Sequence, residues 1–233
     1  MDWQALLLTL RLAALTTLIL ILCAVPLGYW LAYGRSRLKP LAEALVALPL
    51  VVPPTVLGFY LLVLLGPRTA TGRALASLFG HPLAFSFAGL VVGSVLYSLP
   101  FAVQPIAAGF ESVSTEVREA AILLSPRPSA ILTRVLLPLI KPSLLTAVVL
   151  SFTHTVGEFG VVLMIGGSIP GITRTLSISI YDQVQNFEYG QANRTSLALL
   201  SISFLALLII YLRRGMARSN AAAVSAGLSG DAQ

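Results

Sequence analysis

Apolar positions in this chain come in long unbroken runs and do not alternate with polar ones. Five runs stand out, at roughly 5–33, 41–65, 83–108, 143–165 and 196–212. A bilayer-spanning helix needs about 20 mostly apolar residues. The fifth run is short, yet at about 1.5 Å of rise per residue it can just span. The pattern predicts an all-α polytopic membrane bundle of about five spanning helices. A retained first span is expected, because the run lacks a basic start and a clear small-x-small cleavage site.

The polar punctuation gives the bundle a direction. With five spans the loops alternate sides. One side receives Arg35, Arg37 and Lys39, then Arg118, Arg127, Arg134 and Lys141, then Arg213, Arg214 and Arg218; the other receives Arg68, Arg73, Arg174 and Arg194. The richer side is cytoplasmic by the positive-inside rule, which puts the N-terminus outside and the C-terminus inside. Residues 1–212 then form one transmembrane domain interrupted by a cytoplasmic loop at 109–141. The small, polar 213–233 tail is expected to be disordered.

Composition agrees with the pattern. Of 233 residues, 57% are hydrophobic and only 10% charged, against about 25% charged in soluble domains. The net charge of +6 fits basic loops beside a membrane and gives no reason to invoke nucleic acid. The one cysteine, Cys23, cannot form an internal disulfide, and no metal-ligand cluster or G-x-x-x-x-G-K-[ST] phosphate loop occurs. No nucleophile–base constellation suggests a membrane enzyme, so no catalytic or metal residue is expected. No internal repeat suggests the two-half plan of many secondary transporters.

The loop at 109–141 is longer than the 2–8 residues that usually connect helices in bundles, and it is patterned. Ser114 can cap a helix over "TEVREAAILL". Ser125, pushed toward extended geometry by Pro126, can cap a second helix that ends near "LPLIKP". This helix–turn–helix lying outside the bilayer resembles the EAA loop of ABC-importer permeases. Glu119, Ala120 and Ala121 match its E-A-A, Ser125 stands at its glycine, and Val135, Leu137 and Pro138 fall on its I-x-L-P. The resemblance implies a type I importer permease whose loop forms a coupling helix, with Glu119 pairing to basic groups of a cytoplasmic ATPase subunit. The Ser-Pro turn replaces the turn the family makes with glycine.

Two further segments mark a translocation path. "LPLVVPPTVLGFYLL" breaks the second span with Pro53 and Pro54; lipid cannot satisfy the freed backbone groups, so such a break belongs where protein or a water-filled cavity covers it. In "SFTHTVGEFGVVLMIGG", Ser151, Thr155 and Glu158 lie at i, i+4 and i+7 and so share one helical face, and Thr153, Gly157 and Gly160 lie beside them. An ionisable residue within a span is a functional hypothesis by default. If the cargo is an anion, Glu158 should be protonated or paired with His154, Arg174 or another chain.

These segments resemble the molybdate/tungstate branch of the permeases, close to the sulfate branch. The resemblance implies a homodimer, two ATPase subunits that bind the ATP and Mg, an external oxyanion-binding protein, lipid around the spans, and no cofactor in this subunit. A sulfate permease stays open as an alternative, as does an ATP-independent transporter or channel.

Overall fold

The computed structural model describes residues 2–124 and 127–230, with side chains through 212 except at 124, 128, 209 and 210. All described elements are helical. Helix α1 (Trp3–Tyr33) starts where Asp2 Oδ1 accepts from Ala5 N at 3.0 Å. Helix α2 (Lys39–Ala47) runs through a 3-10 turn, Leu48–Leu50, and stops; α3 (Pro54–Leu65) then leaves at 108°. The break has a local cause. Val52 and Pro53 each precede a proline and are driven out of the helical region, while Pro54 suits the first position of the next helix. The expected second span is therefore a bent pair.

Helix α4 (Ala70–Phe79) is short, and α5 (Phe87–Glu111) is long and continuous. The loop follows as α6 (Thr115–Leu124), α7 (Pro128–Ile131), a π-turn (Leu132–Leu136) and α8 (Leu137–Leu139). Pro138 explains the π-turn: it has no N–H to donate one turn back, and the helix widens ahead of it, closing with Leu137 N to Leu132 O. Helix α9 (Lys141–Gly157) departs at 77° from 129–139. It ends eight residues before the expected fourth span does, and α10 (Gly160–Gly166) resumes after a two-residue break. Helix α11 (Leu176–Gln185) and α12 (Tyr189–Gly230) complete the chain.

Among the described residues, α1 and α5 are the two helices continuous and apolar enough to cross a membrane, and the bent pairs α2–α3 and 129–157 supply two more crossings if each counts as one. The fifth run lies in α12. That helix passes position 212 and continues to Gly230, over the stretch whose small polar composition predicts disorder; the alanine-rich, proline-free stretch is compatible with helix.

Helices α1, α5 and α9 form the core. Arg11 lies over the Phe87 ring, Gly28 faces Ile106, and Tyr33 bonds Phe110, so α1 and α5 run in the same direction. Ser98 meets His154 and Thr155 while Gly109 meets Ser143, so α9 runs opposite to them. Leu20, Ala24, Ala102, Val103, Ile106, Phe110 and Ala147 fill the space between. Apolar burial drives little association in lipid, so close packing holds such helices together. A second layer packs α3 on α10 through small residues: a Cβ on Gly160 would lie 2.8 Å from Pro54 Cβ.

Candidate functional site: a coupling loop and a cleft at a helix break

The loop sits at the C-terminal ends of α1 and α5. Tyr33 OH donates to Phe110 O at 2.5 Å, Tyr29, Tyr33 and Phe110 pack edge to face, and the Arg118 guanidinium lies 4.8 Å from the Tyr33 ring centroid. The Tyr33–Phe110 contacts join α1 to the end of α5, and Arg118 brings α6 against them. Ala121 turns inward and is buried in one cluster with Ile131, Leu136 and Ile140. On the opposite face Glu116, Glu119, Ala120 and Leu123, at i, i+3, i+4 and i+7, are all exposed, and Leu123 is 87% exposed.

Ser114 accepts from Val117 N at 3.5 Å, a long version of the expected cap. Glu116 bonds its own backbone N–H and Ser114, which holds its carboxyl below the usual carboxylate range. Val135 and Leu137 are half-buried and Pro138 is exposed. Ser125 and the proposed Ser-Pro cap lie outside the described residues.

The second feature is a cleft of about 470 Å³ at the α9–α10 break. Pro54 and Thr55 line it from α3, Tyr97 from α5, Thr153, His154 and Gly157 from α9, and Glu158, Phe159 and Gly160 from the break. Glu158 is not on the α9 face with Ser151 and Thr155 as expected. It follows the last residue of α9 with extended backbone (φ −65°, ψ 134°), and its carbonyl accepts from Ser177 Oγ on α11 at 2.5 Å. Glycine at 157, where α9 stops, opens a step in the helix that the period-3.6 pattern does not register.

The cleft gathers Pro54, Thr153, Gly157, Glu158 and Gly160, with Pro53 adjoining. Ser151 and Thr155 are instead buried in the helix packing. Thr155 donates to Ser151 O (2.9 Å), and its Oγ1 lies 3.1 Å from Ser98 Oγ, which is itself 2.8 Å from His154 Nδ1. His154 stacks on Phe101 with centroids 4.0 Å apart. Its neighbours come from α5, so no spacing within α9 reveals them; Tyr97 and Thr55 reach the cleft from α5 and α3 in the same way, and Phe159 lines it because the helix breaks at 158.

Glu158 is 4% exposed. The two intrachain partners suggested by sequence are engaged elsewhere: His154 with Ser98, and Arg174 with Asp182 (3.4 Å) and Ser168 Oγ (3.1 Å). Ser94 lies beside the carboxyl, but neither Glu158 oxygen makes a hydrogen bond of acceptable geometry among the described residues. The buried hydroxyls of Thr16, Thr17, Ser94 and Ser151 are likewise unpaired there. Among the described residues, no Lys or Arg lines the cleft.

Residues 24–221 match the binding-protein-dependent transport system inner membrane components. The chain belongs to this family. Its curated relatives include the molybdenum transport system permease protein ModB of Azotobacter vinelandii, 50% identical over 213 residues, covering 91% of this chain and 94% of the relative. ModB of Escherichia coli (strain K12) is 33% identical over 221 residues, covering 93% and 94%. Among solved structures, a bacterial alginate ABC transporter in complex with its pentasaccharide-bound periplasmic protein matches with a TM-score of 0.72 at 17% identity, over 89% of this permease and 76% of that chain. The MetNI methionine ABC transporter in inward-facing form gives 0.69 at 17% identity, over 90% and 92%. These likenesses establish the ABC-importer permease fold, a helical membrane bundle. The permease is thus a membrane transport component.

Proposed function

We propose that this permease subunit carries molybdate or tungstate inward as part of an ATP-driven importer. The carrying observation is the 50% identity to Azotobacter ModB across almost the whole of both chains. In this reading two copies pair in the membrane, and two cytoplasmic ATPase subunits bind the ATP and Mg. An external binding protein supplies the oxyanion, with the N-terminus outside and the loop and C-terminus inside.

The geometry supplies a lever for alternating access. The exposed stripe of α6 meets the ATPase, and 129–139 joins α9 at a 77° bend. Helix α9 is 17 residues long, about 26 Å at the usual rise, and it ends at the Gly157–Glu158 break in the cleft wall. A displacement of the loop therefore reaches the cleft along one rigid rod. Affinity resides in the binding protein, and the cleft passes its cargo on.

The test is uptake by vesicles containing the permease and ATPase, with binding protein added and molybdate, tungstate and sulfate in competition. Molybdate and tungstate should compete with each other, with sulfate far weaker; preferential sulfate uptake would reassign the cargo. Glu119→Arg should abolish ATP-driven uptake while the subunit still folds. Normal ATPase binding and coupling in that variant would sink the docking assignment.

A further inference from the structure

One exposed stripe of α1 carries a single charge. Trp3, Leu7, Arg11, Leu15, Leu18 and Leu22 fall within about a third of the helix circumference, and each is exposed. The other side of the helix, with Leu12, Leu20, Ala24 and Leu31, is buried in the bundle. Helix α1 is 31 residues long, about 46 Å, against a hydrocarbon core of about 30 Å and about 40–45 Å with headgroups. Its first turns therefore stand among the headgroups, with Trp3 as an interfacial anchor. Arg11 lies about 12 Å further along, level with Phe87, the first residue of α5. Both marks put it where headgroups meet acyl chains.

Arg11 is also unpaired. Among the described residues it makes no ion pair or hydrogen bond, and its guanidinium lies over the Phe87 ring, 5.1 Å from the centroid. An uncompensated charge at this depth is costly unless its head reaches polar groups. Snorkelling would carry the guanidinium along α1 toward water. Instead it is held across to α5, on the wall of a cavity of about 500 Å³. Gln4 adds an amide there, and Leu7, Leu8, Phe87 and Ile172 make the apolar walls. No carboxylate lines the cavity. Helix α1 contains no acidic residue, and Asp2, its cap, faces a different cavity.

We infer that this cavity binds the phosphodiester headgroup of an anionic glycerophospholipid, with Arg11 as its counter-charge and the apolar walls against the start of the acyl chains. A guanidinium stacked on a ring keeps its N–H edge free, and that edge matches two phosphate oxygens. The Gln4 amide supplies a further donor. With no carboxylate to meet an ammonium, the site favours phosphatidylglycerol over phosphatidylethanolamine. A small inorganic oxyanion would satisfy the guanidinium but leave the apolar walls and the lipid-facing stripe without a role. The cavity shares no lining residue with the cleft at Glu158, so the inference stands whatever the cargo.

The experiment takes the full chain in neutral detergent, titrates it with phosphatidylglycerol and counts retained lipid by native mass spectrometry. Phosphatidylethanolamine and molybdate form separate arms. Wild type should hold phosphatidylglycerol about fivefold more tightly than Arg11→Gln. Arg11→Lys keeps the charge but loses the fork, and should bind about twofold more weakly than wild type. Arg194→Gln, which removes an exposed base of α12 outside the cavity, should match wild type. An unchanged thermal midpoint without lipid would show that each variant is folded. Equal retention by wild type and Arg11→Gln overturns the proposal, as does equal retention of the two lipids by wild type. If Arg11→Gln does not fold, wild-type affinity in Arg11→Lys overturns it. Molybdate that displaces the lipid in wild type but does not bind Arg11→Gln would make this a cargo site. Loss of a permease pair in Arg11→Gln would put a second copy on the stripe. Either result sinks the lipid assignment.

Discussion

Two glycines three residues apart on either side of the Glu158 break should respond oppositely to the same added methyl. A Cβ on Gly160 would lie 2.8 Å from Pro54 Cβ, with Thr55 N at 3.4 Å. Ordinary carbon contacts are about 3.5–4.0 Å, and a proline ring carbon cannot rotate away. Overpacking of this kind costs about 1–3 kcal/mol. A Cβ on Gly157 meets nothing within 4 Å, and replacing glycine near a helix end by alanine recovers up to about 1 kcal/mol of helix propensity. The two variants should therefore differ by roughly 2–3 kcal/mol, on the order of 4–10 °C in thermal midpoint for a chain of this size. The measurement is thermal unfolding of Gly157→Ala and Gly160→Ala in one detergent, followed by tryptophan fluorescence. Equal midpoints, or a loss confined to Gly157→Ala, would refute the packing of α3 on α10.

The loop offers two more tests. Tyr33→Phe removes the donor to Phe110 O and should lower stability by about 1 kcal/mol, read as faster proteolysis within 109–141; an unchanged rate would mean that the bond does not fasten the loop. The Glu116 carboxyl has its pKa lowered from 4.5 by its own backbone N–H and Ser114, so its stabilising contribution is present above pH 4.5 and is lost as pH falls through the lowered value. The protection factor of amides at the start of α6, with the intrinsic pH dependence of exchange divided out, should fall slightly below pH 4.5 in wild type, and Glu116→Gln should flatten that dependence.

Uninterrupted apolar runs announce α1 and α5 because every turn of a spanning helix must be greasy and internally bonded. Pro53 and Pro54 reveal that the second run is broken, but the 108° angle comes from what α3 packs against, namely Gly160 and its neighbours. The break at Glu158 stayed hidden because "HTVGEFGVV" keeps helical spacing while glycines at 157 and 160 relax the backbone. In the loop, spacing singles out Glu119, Ala120 and Ala121 as candidates, but it does not reveal that Ala121 faces Ile131 and Leu136 while Leu123 faces outward. That division is made by long-range packing on α1 and α5.

The shared direction of α1 and α5 imposes a rule of parity. Where α1 and α5 both cross the membrane, the chain from position 34 to 86 must change sides an odd number of times, whatever path the bent α2–α3 pair takes. Evolution can lengthen this stretch with surface loops, or with whole hairpins that leave and return. It cannot add or delete a single crossing there without turning every later segment inside out, including the lever on which ATP would act.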